Sequence, residues 1–498
     1  MLRRLHLLLA VSAAAGPVHG QDWRARLDSL LDRPPLDRHL WGVAIADSSG
    51  RLLYGRNAER LFTPASNTKL AVAAAAAVLL PADLAVHTSV YATGPVRNGV
   101  LHGDLVLYGR GDPSMSRRCF HPDTTRAGAC RRDPFEPLRS LALQLLDAGV
   151  REVAGDVIGD GSWFGPEPIH PTWESGDLAW WYAAPVTGLG FTDNSLELLA
   201  VPAAEGAPAT LTLWPDLGDV TLENRTRTGA PGTRRSLTVT WAPGPQRLVV
   251  AGDVPIGQRP RTEYVSVPEP TLRTATAFRN VLAQSGIATR GATRSTNDSL
   301  LFRVVREGTP LAEVASRPLR DWLVPILGAS QNWYAEMLLK QMGRLLGTEG
   351  TWSGGREVIR GFLIDSVGID STQFSLSDGS GLSTLNLVSP AAFVRLLAYV
   401  RRHPAWPVFV AGMPVAARSG TLETRFLGTA LEGRVIAKTG TLSGGNALSG
   451  YLELPAGGTL IFSVVANHHT LGSRSMISAI DSVVAAIGSC RVALTLAC

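Results

Sequence analysis

Apolar and polar positions change their texture twice along the chain. Residues 41–46 are apolar or small, Ser48, Ser49 and Gly50 form a turn signal, and 51–54 return, which predicts a hairpin. The segment Thr63-Pro64-Ala65-Ser66-Asn67-Thr68-Lys69-Leu70 then leads into an alanine-rich run ending at Leu80. Ala and Leu favour helix and Pro81 stops it, so a buried helix is expected with Ser66 at its start. Residues 86–306 read differently. Short apolar runs at 105–108, 153–158, 211–214, 237–241 and 248–250 alternate with Gly, Pro, Asn and Asp turns, a mostly β pattern with one helix at 273–286. Beyond about 307 helical periodicity returns at 319–327, 332–346 and 391–401. Three strands follow at 434–438, 447–454 and 460–466, expected to pair antiparallel, and 474–487 reads as a closing amphipathic helix.

The simplest architecture is one α/β domain built from both chain ends (21–85 and 307–498) with a β-rich module (86–306) inserted between them. A chain of 498 residues, 45% hydrophobic, has material for two or more domains. The net charge of +5 falls to +3 without Arg3 and Arg4, too mild to imply nucleic-acid binding. Those arginines precede a short apolar stretch at 5–15 that reads as a secretory signal, with cleavage after Ala15 or, preferably, Gly20. No later stretch reads as a transmembrane helix, so an exported, periplasmic protein without a transmembrane anchor is expected. Four cysteines fall into local pairs, and Cys119–Cys130 and Cys490–Cys498 are the disulfides expected of an exported chain. No His lies at ligand spacing from either pair, and Asn467-His468-His469 has no carboxylate neighbour, so no metal or other cofactor is expected.

Three short motifs carry chemistry. In Ser66-x-x-Lys69, i and i+3 share a helix face, so amine and hydroxyl can touch. A serine hydroxyl becomes a nucleophile when a neighbouring base takes its proton, and a lysine is such a base when burial lowers its pKa. Ser330-Gln331-Asn332 lies between two helical stretches. Lys438-Thr439-Gly440-Thr441 ends an apolar strand, where ammonium and hydroxyl groups can hold a carboxylate and a glycine lets a peptide approach. In that order the three form the signature set of serine β-lactamases and penicillin-binding proteins.

The gap of 264 residues between Ser66 and Ser330 exceeds what a plain β-lactamase domain allows. The chain resembles the class C low-molecular-mass penicillin-binding proteins, the D-alanyl-D-alanine carboxypeptidase/endopeptidase family. Supporting stretches are Gly103-Asp104-Leu105, Gly109-x-Gly111-Asp112-Pro113, 177–186, Asp193-Asn194, 378–383 and Gly420-Thr421-Leu422. The resemblance runs from about residue 25 to 487 and implies a penicillin-binding/serine β-lactamase-like transpeptidase domain, an antiparallel sheet with helices, carrying a large β-rich insertion.

The resemblance also implies roles. Ser66 would attack the carbonyl of the penultimate D-alanine, with Lys69 as base. Ser330, assisted by Lys438, would relay a proton to the departing amine. Asn332 would bind substrate amide and orient Lys69, and Lys438, Thr439 and Thr441 would hold the terminal carboxylate. The backbone N–H groups of Ser66 and Thr441 would form the oxyanion hole. Asp177 and Tyr182, completed by Arg425, would form a stem-peptide subsite suited to a zwitterionic diamino acid such as meso-diaminopimelate. Gln331 departs from the commoner Asp at a position with no reacting role. The 378–381 loop reads as a tight turn beside the cleft, with its glycines at positive φ. No Glu fits the deacylating role seen in class A β-lactamases, so slow penicillin turnover is expected. The implied partners are peptidoglycan stem peptides and, as acylating inhibitors, β-lactams. A β-lactamase or esterase using the same Ser-Lys site is the competing enzyme reading, and a non-catalytic penicillin-sensing or wall-binding module the competing non-enzyme one.

Overall fold

The computed structural model describes residues 23–121, 133–243, 246–454 and 457–488. The expected signal segment 1–20 and Cys130, Cys490 and Cys498 lie outside the described residues. Cys119 lies within them and is not a free thiol.

Both chain ends contribute to one five-stranded antiparallel sheet. Helix α1 (Trp23–Leu31) buries Trp23, Leu27 and Leu31, spaced four apart on one face. The hairpin follows as β1 (Leu40–Asp47) and β2 (Leu52–Arg56). After a 3-10 turn at Ala65–Asn67, helix α2 (Thr68–Leu79) is buried on all sides through residue 77. Its alanines allow that, because small side chains let α3 (Leu319–Leu327) and α4 (Asn332–Leu346) approach closely. Helices α5 (Trp352–Gly361) and α6 (Pro390–Arg402) complete this core. Strands β3 (Val435–Leu442), β4 (Gly445–Glu453) and β5 (Thr459–Asn467) form a meander whose last member pairs with β1. The sheet order is β2-β1-β5-β4-β3, so the Lys438-Thr439-Gly440 strand is an edge. Helix α7 (Ser473–Gly488) packs with α1 over the sheet's other face, burying Met476, Ile480, Val483 and Ile487.

The inserted segment is more mixed than its sequence texture suggests. A five-stranded sheet runs, in order, Thr293–Thr296, Val157–Asp160, Leu105–Gly109, His87–Ala92 and Ala312–Ala315, with parallel pairs among its members. Two helices, Glu136–Asp147 and Pro270–Gln284, share its apolar core. The first was not expected, although Leu138, Leu141, Ala142 and Leu145 carry helical spacing. The apolar run at 153–158 breaks into Glu152–Val153 and Val157–Asp160, since Gly155 packs against the Gly103 carbonyl. The strand Ala312–Ala315 pairs with His87–Ala92, which carries the insertion's sheet past the expected limit of 306. Two three-stranded sheets lie between 195 and 266, and a four-stranded sheet joins Ala288–Thr289, Glu152–Val153, Val100–Leu101 and Val96–Arg97 in that order.

Candidate active site

Ser66 sits in a turn that the sheet and a loop hold from several sides. Ala65, just before it, has φ 49°, a conformation that costs a non-glycine residue on the order of 1 kcal/mol or more. Gly381 (φ 83°) and Gly440 press against this turn: a Cβ at 381 would meet the Ala65 carbonyl at 1.9 Å, and one at 440 would meet the Pro64 carbonyl at 2.6 Å. Gly440 thus lacks a side chain first of all because the nucleophile's own turn occupies that space. Of the 378–381 loop's two glycines, only Gly381 has the expected positive φ. Asn67 Nδ2 donates to Ser449 Oγ on β4 at 2.7 Å, and Ser449 Oγ donates to Ser463 Oγ on β5 at 2.8 Å, tying the turn to the sheet.

Lys69 is fully buried one turn along. Its Nζ donates to Ser66 Oγ at 2.8 Å, Asn332 Oδ1 at 2.8 Å and the Ser380 carbonyl at 2.7 Å. Burial lowers its pKa from the ordinary 10.5 to about 7, against an opposing pull from the Glu336 and Asp378 carboxylates. A shift of that size is worth roughly 5 kcal/mol in favour of the neutral amine. Lys438 is equally buried and held well below its ordinary value by burial and by Lys69. Its Nζ donates to Ser330 Oγ at 2.8 Å and to the Thr439 carbonyl at 2.7 Å. Each serine hydroxyl of the site therefore accepts from its own desolvated amine.

Ser330 also lies at positive φ (59°). Gln331, sealed from solvent, caps α4 by accepting from Trp333 N at 3.0 Å, and its Nε2 donates to Asp193 Oδ2 at 3.0 Å. Asp193 comes from the inserted segment and is also bonded by Arg118 and Ser116. Asn332 Nδ2 and Trp333 Nε1 donate to the carbonyls of Tyr182 and Pro185, so the insertion braces the start of α4 at three consecutive residues.

These elements surround a cleft of about 540 Å³ lined by Ser66, Ser330, Asn332, Thr439 and Thr441, with Thr421 beside them. Asp177, Trp181 and Tyr182 close one side, and Tyr182 Oη donates to Asp177 Oδ1 at 2.9 Å. Two expectations are corrected. Arg425 does not line the cleft: Asp481 on α7 takes its guanidinium, with Nε at 3.1 Å from Oδ1, so the proposed subsite has no arginine from this position. Lys438 does not reach the cleft either, because it is buried behind Ser330 and faces the space only through that hydroxyl. Sequence reasoning gave no role to Trp181, Asn67 or the Asp193–Gln331 pair, although Asn67 and Gln331 are inner positions of two motifs and Trp181 and Asp193 lie in stretches already singled out. Thr421 bonds Thr439 Oγ1 at 2.9 Å and sat in a stretch already singled out.

The model of the D-Ala-D-Ala carboxypeptidase 3 (S13) family matches residues 23–487. A D-alanyl-D-alanine carboxypeptidase of Actinomadura sp. (strain R39) is 35% identical over 482 residues, covering 93% of this chain and 85% of that protein. The D-alanyl-D-alanine carboxypeptidase DacB of Haemophilus influenzae is 23% identical, covering 90% and 89%. The crystal structure of penicillin binding protein 4 (dacB) from Haemophilus influenzae shares the fold, with a TM-score of 0.79 at 22% identity over 93% of this chain and 99% of that one. With a family model spanning all but the chain's ends, and with the three motifs meeting in one cleft, this protein belongs to the D-Ala-D-Ala carboxypeptidase 3 (S13) family.

Proposed function

We propose that the chain is a serine-type hydrolase that cleaves D-alanyl peptide bonds in peptidoglycan stem peptides through an acyl-enzyme on Ser66. It would trim terminal D-alanine as a carboxypeptidase and open D-alanyl cross-links as an endopeptidase. One observation carries the reading: Ser66 Oγ lies 2.8 Å from a fully buried amine, at the meeting point of three segments distant in sequence.

The geometry supports a definite division of labour. Neutral Lys69 takes the Ser66 proton as Oγ attacks the penultimate D-alanine carbonyl. The oxyanion forms against the N–H groups of Ser66 and Thr441. Ser330 gives its proton to the departing amine and is resupplied by Lys438. Water then releases the acyl group by the same path in reverse. Asn332 spends its oxygen on Lys69 and one amide hydrogen on Tyr182, which leaves its second hydrogen for a substrate carbonyl. The terminal carboxylate falls to the hydroxyls of Thr439, Thr441 and Ser330, with the buried Lys438 amine behind Ser330. As the edge strand, β3 offers unpaired backbone groups to an extended peptide. Asp177 meets the cationic end of the stem's diamino acid.

The reading includes export: residues 1–20 act as a signal peptide, the mature enzyme works in the periplasm, and Cys119–Cys130 and Cys490–Cys498 are bridged. The test is acylation by a fluorescent penicillin followed by peptide mapping. A long-lived adduct on Ser66, absent in Ser66→Ala, is expected. Rapid turnover of the adduct would make the chain a β-lactamase instead, and no adduct would end the reading.

A further inference from the structure

Behind Lys69 lies a carboxylate, outside the three motifs, with no role in the scheme above. Glu336 is one turn into α4 and fully buried. It does not line the cleft, so it has no route to a water at the acyl ester. Its Oε1 accepts from Ser380 N at 2.7 Å, and its Oε2 from Gly379 N at 2.8 Å and Trp352 Nε1 at 2.9 Å. Ser380 is therefore held at both ends of its own backbone: its N–H by Glu336, its carbonyl by Lys69 Nζ.

We propose that Glu336 is a positioning residue for Lys69: by clamping the Gly379–Ser380 backbone it fixes the carbonyl that aims the amine at Ser66, and its charge sets the amine's protonation. The proposal rests on Lys69 being the base.

The geometry has few alternatives. Three donors converge on two carboxylate oxygens, an arrangement only an ionised carboxylate satisfies completely. Its neighbours balance that charge. Lys69 from α2 and Lys340 one turn along α4 oppose it in sign, Asp378 from the loop shares its sign, with His170 from the insertion beside that aspartate, and Lys438 faces Lys69 from β3. Lys340 is occupied by the carbonyls of Glu167 and Val186 and by the Trp352 ring 3.6 Å away. Asp378 spends its oxygens on its own loop, on Asn386 and on Trp173. Glu336 is thus the carboxylate bonded directly to the residue that Lys69 bonds. Burial and the Asp378 carboxylate push its own pKa up, and the bonds from Ser380, Gly379 and Trp352 pull it back toward the ionised form.

The test is the second-order rate of acylation by a fluorescent penicillin, followed from about pH 5 to pH 9 for wild type, Glu336→Gln, Glu336→Asp and Trp352→Phe. A glutamine supplies one acceptor oxygen where three donors converge, so the plateau rate is expected to fall by about tenfold or more. Loss of the carboxylate removes what favours the ammonium form of Lys69, so the acid limb is expected to move to lower pH. Glu336→Asp keeps the charge and is expected to keep the limb near its wild-type position. Trp352→Phe keeps an apolar ring while removing one donor, and is expected to move the limb the same way by less, even where Glu336→Gln folds poorly. An acid limb that stays in place in folded Glu336→Gln, or in Trp352→Phe, would reduce Glu336 to a structural buried acid. A wild-type profile with no acid limb would overturn the base assignment and this proposal together.

Discussion

Lys69 and Lys438 are buried amines bonded to hydroxyls, yet opposing charges separate them. Lys69 feels Glu336 and Asp378, which return part of what burial takes away, whereas for Lys438 burial is reinforced by the like charge of Lys69. The base form of Lys69 is the neutral one, so acylation should rise with pH, about tenfold per unit below about pH 7, and level off above it. Stopped-flow acylation across that range checks this; a limb at the ordinary lysine value would contradict it. The Ser66–Lys69 pair was legible, because a spacing of three at a helix start and an apolar run after it already imply contact and burial. Glu336 was not legible, since a charged residue in an amphipathic helix looks the same in sequence whether it faces water or a neighbouring loop. Arg425 failed for a related reason: its partner Asp481 lies far along the chain and only the fold brings them together.

At the scale of elements, the strands and helices nearest the site were read well, because their apolar periods are long and their stops are explicit. The α2 alanines and the three-strand meander are examples. What the periods do not show is contact between elements. Gly440 looked like room for substrate, and the fold adds the Pro64 carbonyl beside it. Gly440→Ala is therefore expected to push β3 away from the Ser66 turn, costing about 1–3 kcal/mol of stability and most of the acylation rate. Thermal melting and penicillin labelling measure the two effects. Gln331 looked inert and instead joins α4 to the insertion. Gln331→Ala removes a helix cap worth about 1 kcal/mol and leaves Asp193 one donor short, so acylation should fall by more than the melting temperature implies. Equal losses in folded fraction and rate would make Gln331 a cap alone.

For the molecule as a whole, the β-rich texture read for the long gap between motifs hid the helix Glu136–Asp147 and the parallel strand pairs. Long-range parallel pairing has no local period to announce it. The insertion is also part of the site, supplying one wall of the cleft and the carbonyls that brace Asn332 and Trp333. With Arg425 turned away, Asp177 is the charged residue lining that wall among the described residues. Asp177→Ala should cut kcat/KM about tenfold for a stem peptide with a cationic diamino acid and leave a neutral analogue nearly unchanged, as expected for loss of one charge-assisted bond. Parallel kinetics on the two peptides decide it, and an equal loss on both would mean that Asp177 shapes the wall without reading the substrate. The central claim concerns the bond that Ser66 meets. Release of D-alanine from a stem pentapeptide, compared between wild type and Ser66→Ala, measures it most directly: the account predicts release by the first and none by the second, and it would be contradicted by release from both or from neither.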